Sequence, residues 1–137
     1  MSLFISDDER FEVVVNYKIN DNKELEFFDK KESDQITQEK FYFKRPNWIE
    51  AKTMSSASVL VDAVSGRAII DPYKYMDIRF KLLLKDWTLS KDNRKVEMTS
   101  NNIDKLHPSL IQYLFSKLEE ELTVTGKEEP KKTNTES

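Results

Sequence analysis

"DPYKYMDIRFKLLLKDW", residues 71–87, decides the fold class of this chain, because its apolar residues recur at helical spacing and the rest of the sequence is organised around it. Asp71 can cap such a helix, and Pro72 suits its first position, where a missing amide proton costs nothing. Met76, Phe80, Leu83, Leu84 and Trp87 follow at i, i+4, i+7, i+8 and i+11, a continuous stripe that Tyr73 extends backwards. The spacing predicts one helix running to Trp87.

Downstream, "KDNR" (91–94) supplies polar, turn-prone residues for a reversal, and Val96 and Met98 alternate as a brief extended segment. "TSNNIDKL" (99–106) then offers Thr99 or Ser100 as the cap of one helical turn, with Ile103 and Leu106 facing inward. A last helix opens at Pro108, where Leu110, Ile111, Leu114, Phe115, Leu118 and Leu122 recur at helical intervals. Glu119 to Glu121 lie where the helix dipole disfavours acids, so fraying is expected at that end. Burying an indole removes roughly 150–250 Å² from water, more than any aliphatic residue nearby. Trp87 is therefore read as a clasp pinning helix 71–87, the connector and helix 108–122 together, in preference to an exposed partner anchor.

Upstream, "RFEVVVNYKI" (10–19) places Phe11, Val13, Val15, Tyr17 and Ile19 in strict alternation, one face of a strand. A turn at "NDN" follows, then a candidate short strand at 25–28 and a charged loop. "EKFYFKRP" (39–46) reads as a further strand, with Phe41 and Phe43 on one face and Pro46 as its stop. From Pro46 the period changes. Pro46 suits a first helical turn, and Ile49, Met54, Ala57, Val61 and Val64 recur at roughly helical spacing, although Ser55, Ser56, Ser58, Val59 and Val61 are poor helix formers, so that either a break near Ser55 or a helix short-lived without packing is expected. "SGR" (65–67) closes the element. The fold class expected is α+β: a small N-terminal antiparallel β-sheet (1–45) followed by a bundle of about three helices (46–122). Together these form a single domain, with a disordered tail over 123–137 that carries "GKEEPKKTNTES".

Composition narrows the function. The 137 residues suit one core. The chain has 38% hydrophobic and 34% charged residues, and no stretch reaches the ~20 apolar residues that span a bilayer, so no membrane role is expected. "MSLFISDDERF" puts three acids behind a short apolar patch, unlike a secretory signal, and a cytosolic site of action is the expectation. With no cysteine, disulfides and thiolate chemistry are excluded. The net charge is −3, and no segment is basic overall: residues 1–45 carry 11 acids and 8 bases, 46–122 carry 11 and 11, and 123–137 carry 3 and 3. Nucleic acid is therefore disfavoured as a partner.

Catalytic patterns are missing. His107 is the single histidine and lacks the neighbours of a zinc site or a nucleophile dyad; helix initiation before Pro108 is its stronger reading. The acids of "SDDER", "KKESD" and "LEEEL" fall in charged loops or ends, and two isolated glycines cannot form a phosphate loop. No enzyme, catalytic residue, metal or cofactor is expected. One pattern suggests binding: in "EKFYFKRPNW" (39–48), Lys40, Lys44 and Arg45 interleave with Phe41, Tyr42, Phe43 and Trp48, as in single-stranded nucleic-acid platforms where bases stack and cations track phosphates. A core strand needs the same rings, and that is the preferred reading.

These stretches together, "FYFKRP", "LLLKDWTL" and "VEMTSNNIDKLHPSLIQYLFSKLEEEL", resemble the bacteriophage tail assembly chaperones and the related baseplate-hub assembly chaperones. In those families a Trp closes a helix, a Thr-x-x-Asn-Ile/Leu step follows, and Leu-x-Pro opens a C-terminal helix. The matching positions here are Trp87, Thr99, Asn102, Ile103, Leu106 and Pro108, within a resemblance that covers residues 39–122. It implies a non-catalytic protein of the host bacterial cytoplasm that keeps the tape measure protein soluble and recruits tail tube protein, several copies acting together as a homo-oligomer. Some members are lengthened by a ribosomal frameshift, for which Lys131-Lys132 is a candidate site. Met54 and Val61 on the 54–64 face, with Leu114 and Leu118 on the last helix, are the candidate partner-binding residues; core packing is the competing reading for both faces. The N-terminal strands depart from the mainly helical members. That departure keeps a structural tail or baseplate subunit open as an alternative, beside the single-stranded nucleic-acid binder acting through 40–48.

Overall fold

The computed structural model describes residues 3–6 and 8–135, with side chains described as far as Leu122. The chain divides into two compact units, Met1–Lys105 and Leu106–Ser137. Its class is α+β: an antiparallel sheet takes its first three strands from the N-terminal part of the chain and its fourth from beyond two of the helices.

In the first unit, β1 (Arg10–Ile19), β2 (Leu25–Phe28) and β3 (Thr37–Lys44) form the N-terminal part of a four-stranded sheet completed by β6 (Leu84–Trp87), in the order β2-β1-β3-β6. Alternation places Val13 and Val15 in the core. On the opposite face Asn16 is buried, and its amide satisfies itself: Nδ2 donates to the carbonyls of Phe28 and Asp29, and Oδ1 accepts from Gln38 Nε2. The β1–β2 reversal is organised by Asn20, whose Oδ1 accepts from the amides of Asn22 and Glu24. On β3, Phe41 and Phe43 are both buried as expected. Phe43 stacks on Phe11 with ring centroids 6.0 Å apart and meets Phe80 at 5.9 Å.

Helix α1 (Trp48–Ala57) opens with a capping box: Asn47 Oδ1 accepts from Glu50 N, and Glu50 Oε1 accepts from Asn47 N. Pro46 therefore lies before the cap and not in the first turn. The helix also ends earlier than the apolar spacing suggests. Ser58 is buried and its hydroxyl donates back to the carbonyls of Met54 and Ser55, a local bond that competes with helix propagation. β-branched residues then take over, and β4 (Val59–Val61) pairs with β5 (Ala68–Ile70) as a separate antiparallel hairpin.

Helix α2 (Pro72–Leu83) starts as expected, with Asp71 Oδ1 accepting from the amides of Tyr73 and Lys74. It does not run to Trp87. The backbone turns extended at Leu84, and Leu84–Trp87 form β6, the fourth strand, paired with β3. The register shifts between Tyr42 and Phe43, because Phe43 faces Leu84 while Tyr42 faces Asp86. Lys85 is thus an extra residue, and this bulge turns Leu84 and Trp87 to the same buried side. A three-residue interval that looks helical is here the signature of a bulged strand. The open edge of β3, with its row of unpaired amides and carbonyls, is the tertiary reason for the change.

After β6 the reversal at "KDNR" is a short hairpin of β7 (Ser90–Lys91) and β8 (Arg94–Lys95), with Asp92 and Asn93 both at positive φ, the geometry such two-residue turns need. Thr99 caps the single turn α3 (Ser100–Ile103), and Ile103 is buried. In the second unit, α4 (Pro108–Thr135) begins where expected. His107 serves its start: its carbonyl accepts from Leu110 and Ile111, and its Nδ1 accepts from Ser109 N. The expected disordered tail over 123–137 lies outside the residues described in full.

Candidate interaction surface

Trp87 proves to be a core residue: its indole is buried, meets Phe41 edge-on at 6.3 Å, and donates from Nε1 to the Val96 carbonyl at 2.7 Å. The rings of the 39–48 pattern are likewise committed. Phe41 and Phe43 lie in the core, where no base could stack on them. Lys44 is buried too, its ammonium 2.7 Å from the Glu50 carboxylate, so that β3 and α1 are tied by one charge pair. Lys40 faces Glu12 at 3.8 Å, and Arg45 lies over Phe11. Trp48, 74% exposed, is the ring of this stretch that reaches solvent most freely, with Lys52 Nζ 5.6 Å from its centre. Among the described residues no group of three His, Cys, Asp or Glu side chains could hold a metal ion, and no helix is long and apolar enough to cross a membrane.

The apolar surface lies elsewhere. All six residues of the β4–β5 hairpin are exposed, although five of them are valine, leucine or isoleucine. Val59, Val61, Ala68 and Ile70 share one face and Leu60 and Ile69 the other, so exposure of all six means that neither face is packed away. Val61 is 72% exposed, Ile69 49% and Ile70 59%. Val64 at the turn, Tyr73 on α2, and Trp48 and Ile49 on α1 add to the exposed apolar residues of this part of the chain. Beside them an open groove of about 520 Å³ runs along α1, lined by Ile49, Lys52, Thr53, Ser56 and Ala57. Apolar side chains exposed on both faces of one paired hairpin mark a binding site more often than an accident of composition.

The turn that presents the hairpin is tightly built. Asp62 accepts from Ser65 Oγ at 2.6 Å and from the amides of Ser65 and Val64. Those bonds, the Ser65 hydroxyl first, hold the Asp62 carboxyl below its ordinary pKa. Gly66 closes the loop at φ 72°, donating to the Asp62 carbonyl. The edges are informative as well. Asp71 N donates to Ser58 O, and Asp62 N to Arg67 O, so the bonded pairs are 58–71, 60–69 and 62–67. The amides and carbonyls of Val59, Val61, Ala68 and Ile70 then point away from the hairpin, along two strand edges that no other strand among the described residues pairs.

Of the four candidate partner-binding residues, Val61 alone stands at the surface; Met54, Leu114 and Leu118 are buried. The motif residues Phe41, Phe43, Trp87 and Ile103 are core, Pro46 and Leu106 are half-buried, and Pro108 is exposed at the first position of α4. The hairpin itself escaped the helical reading of 46–64. Its signal was present: "VLV" and "AII" flank "DAVSGR", β-branched runs around a glycine turn. No family model, curated protein or solved structure matches the chain.

Proposed function

We propose that this chain is a non-catalytic assembly chaperone of a bacteriophage tail, acting in the host bacterial cytoplasm to hold the tape measure protein in solution while tail tube protein is recruited. The observation that carries the reading is the exposed aliphatic hairpin, Val59–Val61 with Ala68–Ile70, which offers apolar side chains on both faces and open backbone edges. Apolar side chains give affinity without demanding a particular sequence, and main-chain pairing at an edge accepts any extended polypeptide. Many weak contacts along one long client then sum by avidity when several copies bind. The resemblance over residues 39–122 supplies the client's identity.

Co-expression tests this. The tape measure protein of the same phage should partition into the soluble fraction when the two are expressed together and into the pellet when it is expressed alone. Equal solubility in both cases removes the reading. Purified virions should lack the chain; finding it there in stoichiometric amount identifies a structural tail or baseplate subunit instead.

A further inference from the structure

We infer that the free edge of β5 pairs with β5 of a second copy of this chain, antiparallel and centred on Ile69, joining two hairpins into one four-stranded sheet. The inference stands on the geometry of the hairpin and does not require the chaperone reading. A two-stranded ribbon is marginal alone, and a strand edge this apolar, with no lysine or proline to blunt it, is a template for another strand.

The register follows from the bonding pattern. Within the hairpin Ile69 is bonded to Leu60, so Ala68 and Ile70 aim their amides and carbonyls outward. About a two-fold axis at Ile69, Ala68 faces Ile70 of the second copy and Ile70 faces its Ala68, each pair exchanging both hydrogen bonds. The small side chain meets the large one. On the other face Ile69 meets its own equivalent, and Arg67 comes opposite Asp71 of the second copy, with the reciprocal pair on the far side of the axis. Arg67 is exposed, and the α2 cap hydrogen bonds engage Oδ1 of Asp71 and not Oδ2. Moving the strands by two residues sets Arg67 against Ile69 or Tyr73 and loses both charge pairs. The β4 edge is a poorer candidate, since centring on Leu60 sets Asp62 against Ser58, which is buried and already bonded to α1.

The chain has no cysteine, so a single introduced one reports the register. Residues facing each other in a non-hydrogen-bonded antiparallel pair have Cα atoms about 4.5 Å apart, within disulfide range. Ile69→Cys in the full chain should oxidise to a covalent dimer under mild conditions. Leu60→Cys and Val64→Cys should stay monomeric on the same gels. Sedimentation of the unaltered chain should show a concentration-dependent dimer, and Arg67→Glu, at an exposed position, should weaken that dimer roughly tenfold or more by setting like charges against each other. Cross-linking through Leu60→Cys in place of Ile69→Cys, or a chain that sediments as a monomer at every concentration, overturns the proposal. So does an Ile69→Cys variant that cross-links only to a co-expressed tape measure protein, because the edge then belongs to the client. None of the self-pairing measurements needs a client, so their failure leaves the chaperone reading to its own test.

Discussion

Asp86 shows how one side chain ties local elements together. Its Oδ1 accepts from Lys95 Nζ at 2.9 Å and from the Trp87 amide at 2.9 Å, linking β6 to the β7–β8 hairpin. The Lys95 bond above all, and the Trp87 amide after it, hold the Asp86 carboxyl below its ordinary pKa. A carboxylate with a depressed folded pKa stabilises the fold above the unfolded value of about 3.9, and that contribution is lost as pH falls through the lower folded value. Asp86→Asn should therefore unfold at lower urea than the parent at pH 7. The gap between their midpoints should close as the pH is taken below about 4; a gap that stays constant from pH 7 to pH 3 would remove Asp86 from this role. Lys44 makes the complementary point. An ammonium 1% exposed persists in the sheet because the Glu50 carboxylate lies 2.7 Å away, and a buried charge without such company would shift or unfold.

At the scale of the element, the β4–β5 hairpin depends on its turn more than on its contacts. Gly66 sits at φ 72°, and a Cβ placed there would meet nothing within 4 Å. Backbone strain alone then sets the cost of replacing it. Gly66→Ala should destabilise the hairpin by about 1 kcal/mol, with Gly66→Asn costing less, because asparagine tolerates the left-handed region. Amide hydrogen exchange of Leu60 and Ile69, the bonded pair at the hairpin centre, is the direct measure: faster exchange there than in β1 and β3 is expected. Helix α2 teaches the opposite lesson. Its start is local, set by Asp71 and Pro72, but its end is imposed from outside by the edge of β3, which captures Leu84–Trp87 as a strand.

For the whole molecule, core and candidate interaction surface use different residues, so they can be altered separately. Val61→Lys combined with Val64→Lys changes exposed positions outside the β5 edge. Exposed substitutions of this kind usually move stability by no more than about 0.5 kcal/mol. On the chaperone function proposed above, the doubly substituted chain should keep the parent's unfolding midpoint and fail to hold the tape measure protein in solution. A midpoint that falls with client holding would place these valines in the fold and not in the surface.

Much of this architecture is local and so was legible in the chain. Alternation along 10–19, the Phe41 and Phe43 face, the Asp71–Pro72 start, the reversal at "KDNR" and the Thr99 cap each follow from neighbouring residues alone. Periodicity could not distinguish a helix from a bulged strand over Leu84–Trp87, since both return two residues three apart to one side. Nor could it tell that Val61 would be exposed while Met54, Leu114 and Leu118 were buried. Spacing specifies which side chains share a face; which faces are covered depends on residues far apart in sequence. Only the tertiary arrangement, with β3 presenting an edge to β6 and, among the described residues, no strand on the outer edge of β5, determined that.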